Sequence, residues 1–337
     1  MGTAKGLAIA IGVAIGLAGS AGCDEDKTCR GVTAIGAEVD IAVLMKDHSV
    51  WAWHPGFEDP VRQFNAPDAT GFANAQLCLR YASGEASCDP AYLKGGTGHL
   101  TSVVGAKQVS TWYDTLYRRD VSDCAVLEDD SLTCWLQGQT EFTAAGQGIR
   151  NVAVGKAHFC AIALDGSLPC RPAPGGVADW ETARTDLTDV AEVVSLVEPS
   201  VSALRTATGE VWSLYEAQIP SDPPDVITRT AIAGIGGPIA QMIAGYEYAC
   251  ALRTDGAVFC WAEGTRRNAE LLLQVSDPPE RRVPQQITTL PRPATALAGG
   301  DFFVCALLDD TTVWCWGLVG GDHRSGSPEG GFVESCG

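Results

Sequence analysis

Cysteine is the residue type with the clearest chemistry in this chain of 337 residues, which contains 13 of them. Ten cysteines fall into five pairs whose partners are separated by nine residues. The pairs are Cys78 and Cys88, Cys124 and Cys134, Cys160 and Cys170, Cys250 and Cys260, and Cys305 and Cys315. Zinc-binding cysteines lie much closer together, and no histidine recurs beside these pairs. The spacing therefore predicts five disulfides and no metal site.

The other residue types that carry out catalysis form no recognisable motif. Five histidines, at positions 48, 54, 99, 158 and 323, are scattered through the chain. A glycine-rich segment at 95–99 lacks the lysine of a phosphate-binding loop, and the sequence contains no Gly-x-Ser-x-Gly nucleophile elbow. His158 is expected to bond to backbone in a turn. The sequence therefore predicts no catalytic residue and no cofactor.

The N-terminus has the parts of a bacterial export signal. Lys5 precedes an apolar run from Leu7 to Ala18, which is shorter than a membrane span. Ser20-Ala21-Gly22-Cys23 resembles the lipobox of bacterial lipoproteins, in which the cysteine becomes the acylated N-terminus. Ser20 departs from the usual leucine, so ordinary secretion with Cys23 free or paired is the alternative. Acylation of one of the 13 cysteines leaves twelve, of which Cys29 and Cys336 have no partner at the nine-residue spacing.

The elements that must position the cysteines are tight β-hairpins. Residues 242–264 read as two apolar strands on either side of Thr254-Asp255-Gly256. Asp-Gly between apolar runs is a strong hairpin signal, and Gly256 readily adopts the left-handed conformation that a three-residue loop needs. Cys250 and Cys260 lie at equal distances from Asp255, so they are expected to face each other within reach of a disulfide.

This hairpin unit repeats along the chain. Polar turns recur near residues 47, 83, 129, 165, 208, 255 and 310, at spacings of 36 to 55 residues. The units around 47 and 208 lack cysteines, and the second is expected to contain one extra residue. Such spacings are typical of propeller blades, and strands that are apolar on both faces suit packing between neighbouring blades. An all-β, seven-bladed β-propeller of short antiparallel blades is predicted, with a sandwich or an irregular barrel as the alternatives.

Three of the units resemble a known repeat. Residues 152–166, 243–264 and 297–317 are similar to the repeat of the regulator of chromosome condensation family, which runs V-x-x-G-x-x-H-x-x-A-L-x-x-D-G-x-V-x-x-W-G. The resemblance implies a seven-bladed propeller over residues 31–335, often with an N-terminal strand completing the last blade. A bridge between Cys29 and Cys336 would fix such a closure. The shorter blades, paired cysteines and acidic charge depart from the eukaryotic members, which argues against a nucleotide-exchange or chromatin role.

The composition suits a large all-β domain and restricts its partners. The chain contains 38 glycines and 18 prolines, as expected for many short strands joined by turns. A net charge of −18 makes nucleic acid a poor partner, because binding to phosphate needs positive charge. The predicted organisation is a lipoprotein-type signal peptide at 1–22, a short tether at 23–30 and a single propeller domain at 31–337, present as a monomer.

One face of the predicted ring carries a candidate binding surface. The two positions that open the turn before each inner strand should project from the same face, and five of the seven blades place an acid there. The candidate face comprises Glu38, Asp120, Lys156, Glu198, Tyr246, Glu247, Asp301 and Phe302, with Tyr248 and Phe303 as further aromatic anchors. Aromatic anchors in a polar surround are typical of protein interfaces. The alternative is that acids are simply frequent in this chain.

These observations favour a binding protein over an enzyme. The primary hypothesis is an envelope-anchored propeller, attached to the membrane only through its lipid, that binds a protein or glycan partner on one face. It would lie in the periplasm or on the cell surface. The alternative is a lyase or hydrolase of extracellular or cell-wall polysaccharide, which needs acids or histidines that converge in the central depression. A structural surface protein without a discrete ligand is a third possibility.

Overall fold

The structure, a computed structural model, shows strands as the regular elements of the residues that it describes. These are residues 22–23, 29–37, 40–53, 60–73, 78–87, 103–112, 122–135, 143–154, 158–172, 187–195, 202–216, 227–246, 248–263, 282–300, 303–317 and 333–336. The strands form seven antiparallel sheets, which we call blades 1 to 7, and a separate two-stranded sheet. Six blades have four strands within the described residues, and blade 4 has three.

The strands of each blade follow one another along the chain. The two-stranded sheet contains β1 (Gly22–Cys23) and β2 (Cys29–Arg30), and blade 1 contains β3 (Val32–Ala37), β4 (Ile41–Met45), β5 (Ser49–Trp53) and β6 (Val61–Asn65). Blade 2 contains β7 (Ala69–Phe72), β8 (Leu79–Tyr81), β9 (Glu85–Ser87) and β10 (Val103–Val104). Blade 3 contains β11 (Ala106–Trp112), β12 (Ser122–Leu127), β13 (Leu132–Trp135) and β14 (Thr143–Gly146). Blade 4 contains β15 (Ile149–Val154), β16 (His158–Ala163) and β17 (Cys170–Pro172); blade 5 contains β18 (Val190–Ser195), β19 (Ser202–Thr206), β20 (Val211–Glu216) and β21 (Ile227–Ile232); blade 6 contains β22 (Ile239–Gly245), β23 (Tyr248–Arg253), β24 (Val258–Ala262) and β25 (Gln285–Gln286); blade 7 contains β26 (Ala294–Gly299), β27 (Phe303–Leu308), β28 (Val313–Gly317) and β29 (Val333–Cys336).

Hydrophobic clusters fill the interfaces between neighbouring blades and close the ring. Each of seven clusters draws its side chains from two blades that are adjacent in the ring. The cluster that joins the last blade to the first packs Val43 and Met45 against Val313 and Cys315. Inner strands are therefore covered on both sides, and all five residues of β24 are buried. The predicted all-β propeller is confirmed, in place of a sandwich or barrel.

The hairpin of blade 6 has the predicted geometry. Cys250 lies opposite Cys260, and their Cα atoms are 4.1 Å apart in a disulfide. The Gly256 N–H donates to the Arg253 carbonyl and closes a three-residue loop, with Gly256 at a φ of 85°. A Cβ atom at Gly256 would also come within 2.4 Å of Pro293 at the start of the next blade. The close approach to Pro293 requires glycine here, and the left-handed conformation favours it.

The predicted cysteine pairs are confirmed wherever both partners are described. Disulfides join Cys124 to Cys134, Cys160 to Cys170, Cys250 to Cys260 and Cys305 to Cys315. Cys78 is also disulfide-bonded, whereas Cys88 lies outside the described residues. The bridge between Cys29 and Cys336 stays a prediction: the backbone of Cys29 lies opposite Cys23, and that of Cys336 lies opposite Val313.

All seven hairpin tips share one backbone design. The last loop residue of each has a positive φ, namely His48, Gly84, Asp130, Gly166, Gly209, Gly256 and Thr311. A short polar residue before it caps the loop in most blades; for example, the Asp47 carboxylate accepts the Ser49 N–H at 2.9 Å. The extra residue expected in blade 5 is absent, because Ala203 pairs with Ser213 at the same separation as Cys250 and Cys260.

The tips also tie each blade to the next. The carbonyl of the left-handed residue accepts an N–H from the chain entering the following blade at five tips: His48 from Ala66, Gly84 from Ala106, Asp130 from Ile149, Gly166 from Val190 and Gly256 from Ala294. At blade 7 the Gly31 N–H donates to the Thr311 hydroxyl at 3.0 Å, linking the two ends of the ring. The closure implied by the family resemblance is wrong in one respect, because the C-terminal β29 supplies the fourth strand of blade 7 while β1 and β2 pair with each other.

Candidate functional site

Tyr246 is the member of the candidate face that the structure describes. It follows β22 in the turn to β23, at the end of the blade remote from the hairpin tip, and its side chain is half-buried. The other members lie outside the described residues, namely Glu38, Asp120, Lys156, Glu198, Glu247, Asp301 and Phe302. The candidate face as a binding surface therefore stays a prediction.

Two of the aromatic anchors expected on this face are buried instead. Tyr248 is 1 % exposed and Phe303 is 5 % exposed. Tyr248 belongs to the cluster between blades 6 and 7, whereas Phe303 belongs to the cluster between blades 7 and 1. Tyr248 and Phe303 begin the second strands of blades 6 and 7, and both side chains point into a blade interface. These rings therefore pack in the core and are unavailable to a partner.

Tyr248 holds the backbone of two described residues next to positions of the predicted face. Its hydroxyl lies 2.7 Å from the Gly300 carbonyl and 2.7 Å from the Phe303 carbonyl. The Gly300 N–H also donates to the Phe303 carbonyl at 3.0 Å. The ring fits because two glycines flank it: a Cβ atom would lie 2.2 Å from the ring at Gly245 and 2.9 Å from the hydroxyl at Gly299.

Long polar side chains on the innermost strands connect neighbouring blades. Gln108 in β11 donates its amide to the Val152 carbonyl at 2.8 Å and accepts the Val152 N–H at 2.9 Å. Gln241 in β22 makes the same two hydrogen bonds to Leu297, each at 2.8 Å. Each glutamine thus behaves like one more strand residue and extends backbone pairing from one blade to the next.

Glu192 and Asn151 occupy the corresponding position in the two blades between them. Glu192 accepts the Met242 N–H at 3.0 Å and the Arg205 guanidinium at 3.2 Å. Burial raises the pKa of Glu192, although the Met242 N–H and Arg205 act in the opposite direction. The Asn151 side-chain oxygen is buried without a hydrogen-bond partner, because asparagine is one methylene shorter. All four residues follow the β-bulge in the first strand of their blade, so the alignment of the blades reveals their shared position.

Glu263 forms a second buried polar link, between blades 5 and 6. Its carboxylate is 1 % exposed and accepts the Ser213 hydroxyl, the Trp261 indole N–H and the Arg282 guanidinium, each at 2.8 Å. Arg282 also donates to Thr230 at 3.2 Å. Sequence reasoning missed this network, because its members are distant in the chain and no local pattern unites them.

Two carboxylates in the described part of the chain, the half-buried Glu192 and the buried Glu263, are therefore engaged in structural contacts. Glu192 and Glu263 each pair with an arginine and with donors from a neighbouring strand. Among the same residues, no group of three or more His, Cys, Asp or Glu side chains could hold a metal ion. The described ranges also contain no helix long and apolar enough to cross a membrane. The arrangement holds neighbouring blades together, and Tyr248 holds the backbone of Gly300 and Phe303 in place.

Comparison with known proteins places the chain among propellers by structure alone. No protein-family model and no curated protein sequence matches it. Raptor from Chaetomium thermophilum is similar with a TM-score of 0.52 and 11 % identity, over 86 % of this chain and 28 % of that one. The β-propeller domain of Cps50 (Swd1) from Myceliophteria thermophila has a TM-score of 0.52 and 9 % identity, over 86 % and 96 %. Yeast RCC1 (Prp20), solved bound to Kap60, has a TM-score of 0.49 and 13 % identity, over 84 % and 69 %.

These similarities show the fold and carry nothing about activity. The first two structures match at identities of 11 % and 9 %, a level at which propellers of unrelated function share their architecture. Function must therefore be argued from the faces and interfaces of this ring.

Proposed function

We propose that the protein is an exported, lipid-anchored propeller of the bacterial cell envelope that binds a protein partner and has no catalytic activity of its own. Its repeats would make it a member of the regulator of chromosome condensation family. Acylation at Cys23 would hold the ring at the membrane surface, and the remaining cysteines would form disulfides in this oxidising compartment.

The hydrogen bonds of Tyr248 carry the proposal. Tyr248 holds the backbone of Gly300 and Phe303 and is itself enclosed between two blades. Asp301 and Phe302, two members of the candidate face, lie between these residues in the sequence. Fixed flanking residues reduce the conformational entropy that is lost when a partner docks beside them, which favours recognition of a folded surface.

The contacts of Glu192 and Glu263 support a binding role over the alternative of a polysaccharide-degrading enzyme. A glycoside hydrolase needs a pair of carboxyl groups on either side of the scissile bond. Glu192 and Glu263 instead each face an arginine inside a blade interface. Their hydrogen-bonding capacity is directed at the protein itself.

Affinity capture from native membranes, with crosslinking and mass spectrometry, tests the proposed function. A single protein should be recovered reproducibly with the wild-type chain and lost with the double variant Tyr246→Ala/Phe302→Ala. The variant Glu85→Lys, at a hairpin tip on the opposite side of the ring, is the matched control and should retain the partner. Unchanged recovery with the double variant would eliminate this face as the binding surface.

A further inference from the structure

One hairpin tip departs from the way the others are tied to the next blade. The carbonyl of the left-handed residue accepts a backbone N–H at five tips, and the Thr311 hydroxyl accepts one at a sixth. The Gly209 carbonyl of blade 5 accepts none from any described residue. Ile239, which begins β22, stands where Ala294 stands in the following blade, yet it makes no such bond to Gly209.

A groove of about 680 Å³ lies where that contact is missing. Its walls are the blade 5 tip and the loop 233–238 that leads into β22, and both Gly209 and Ile239 line it. Gly234, Gly236 and Gly237 all have positive φ values, a backbone conformation that favours glycine. A Cβ atom at Gly209, Gly234 or Gly236 would meet no atom within 4 Å, so the space beside them is open.

We propose that this groove binds an extended peptide segment of a partner protein, one with an apolar residue beside a lysine or arginine. At five other tips, the chain entering the next blade donates a backbone N–H to the carbonyl of the tip residue with positive φ. An extended peptide offers such donors along its length. The half-buried Trp212 supplies the apolar surface for its side chain, and Val211 and Ile235, only 4 % and 5 % exposed, lie behind the groove in the core between blades 5 and 6.

The negative charge beside the groove is the reason for expecting a lysine or arginine in the bound peptide. Glu210 is exposed at the groove and forms no ion pair within the described residues. Arg205, which lines the groove, is already paired with Glu192 at 3.2 Å, and Arg229 stacks over the Trp212 ring at 5.3 Å from its centroid. The chain as a whole carries a charge of −18, which further favours a basic segment.

The inference rests on the proposed function only in that the partner is a protein. The groove lies at the start of β22, whereas Tyr246 follows the end of the same strand, so the two sites are on opposite faces of the ring. Variants in the groove should leave Tyr246-dependent capture intact. Loss of peptide binding in the groove can therefore be distinguished from loss of partner capture through Tyr246.

Selection from a random linear peptide display library against the folded wild-type protein tests the inference. Enriched peptides should combine an apolar with a basic residue, and fluorescence anisotropy should show about tenfold or greater loss of affinity for Glu210→Lys. Ala233→Trp, which fills the groove from an exposed position, should cause a similar loss. Glu85→Lys is the matched control, because Glu85 follows the blade 2 tip as Glu210 follows the blade 5 tip, and it should bind as the wild type does.

A proline scan of the best peptide tests the backbone bond to Gly209. Proline lacks the N–H, so one central position should tolerate no proline, whatever its side chain. The inference is overturned if no sequence is enriched, if the enriched peptides bind both groove variants as tightly as the wild type, or if proline is accepted at every position. Thermal melting of each variant confirms that it is folded before binding is measured.

Discussion

One methylene group decides whether two blades are linked through their innermost strands. Gln108 and Gln241 each reach the backbone of the next blade, and Glu192 does so with one oxygen. Asn151 holds the same position, but its side-chain oxygen is buried without a partner. An unsatisfied buried polar atom lowers stability, so the interface between blades 4 and 5 lacks a bond that its neighbours have.

The substitution Asn151→Gln should therefore stabilise the ring. The longer amide should reach the N–H and carbonyl of Val193, the residue that corresponds to Val152 and Leu297, and should raise the free energy of unfolding by about 1 kcal/mol. Urea denaturation measures the change. The matched control Gln241→Asn should lower stability by a similar amount. A destabilised Asn151→Gln protein would show that the side chain does not cross this interface.

The Tyr248 hydroxyl should contribute more to the free energy of unfolding than a tyrosine hydroxyl outside the core. Tyr248→Phe keeps the ring in place but removes the hydroxyl donor from the Gly300 carbonyl, while the Phe303 carbonyl keeps the Gly300 N–H, and should lower the free energy of unfolding by about 1–3 kcal/mol. Tyr81→Phe, at a half-buried position in β8, is the control. Equal stability of the two variants would contradict the bracing role.

Carboxylates at the hairpin tips should make the protein sensitive to acid. Hydroxyl donation by Ser49, Ser131 and Ser167, together with their N–H groups, lowers the pKa of Asp47, Asp129 and Asp165 below the usual value of 3.8. A lowered pKa in the folded state means that the unfolded chain binds more protons in the window between the two values. The stabilisation is present above that window and is lost as the pH falls through it.

Asparagine at these three tip positions should reduce the acid sensitivity. Denaturation curves at decreasing pH should show a smaller loss of stability for the triple variant Asp47→Asn/Asp129→Asn/Asp165→Asn than for the wild type. The amide oxygen of asparagine can still cap the turn, so the fold should persist at neutral pH. Parallel pH profiles for the two proteins would show that these carboxylates are not responsible.

At the scale of the element, the hairpins could be predicted because their signals are local. A polar tip between two apolar runs, with cysteines equidistant from it, specified the register of Cys250 with Cys260. The links between blades could not be predicted in this way. Gln108 and Val152 are 44 residues apart, and Gln241 and Leu297 are 56 apart, so only the aligned blades reveal the shared position.

The disulfides should stabilise individual hairpins without being essential to the ring. Each closes a nine-residue loop, which removes about 2–3 kcal/mol of unfolded-state entropy in the simple chain model. Reduction should therefore lower the melting temperature and increase amide exchange in the hairpins of blades 3, 4, 6 and 7. Blades 1 and 5, whose hairpins contain no cysteine, are the internal control and should keep their protection. Complete unfolding under reductant at ambient temperature would contradict this expectation.

At the scale of the whole molecule, repetition made the ring predictable and its ends less so. Seven units of similar length imply mutual packing, and the blade interfaces confirm it. The closing strand was wrongly predicted, because pairing of β28 with the C-terminal β29 depends on a contact that no repeat encodes. Tyr248 and Phe303 were misassigned to the surface for a similar reason: a turn-flanking aromatic looks the same in sequence whether it faces solvent or a neighbouring blade.

Peptide mapping of the unreduced protein from its native membrane tests the central claim most directly. The ring of self-contained hairpin units predicts five disulfides within units, including Cys78 with Cys88, and a lipid mass on the peptide that begins at Cys23. The same spectra should contain the bridge between Cys29 and Cys336 that joins the two ends. A bridge between cysteines of two different blades would contradict the hairpin as the repeating unit.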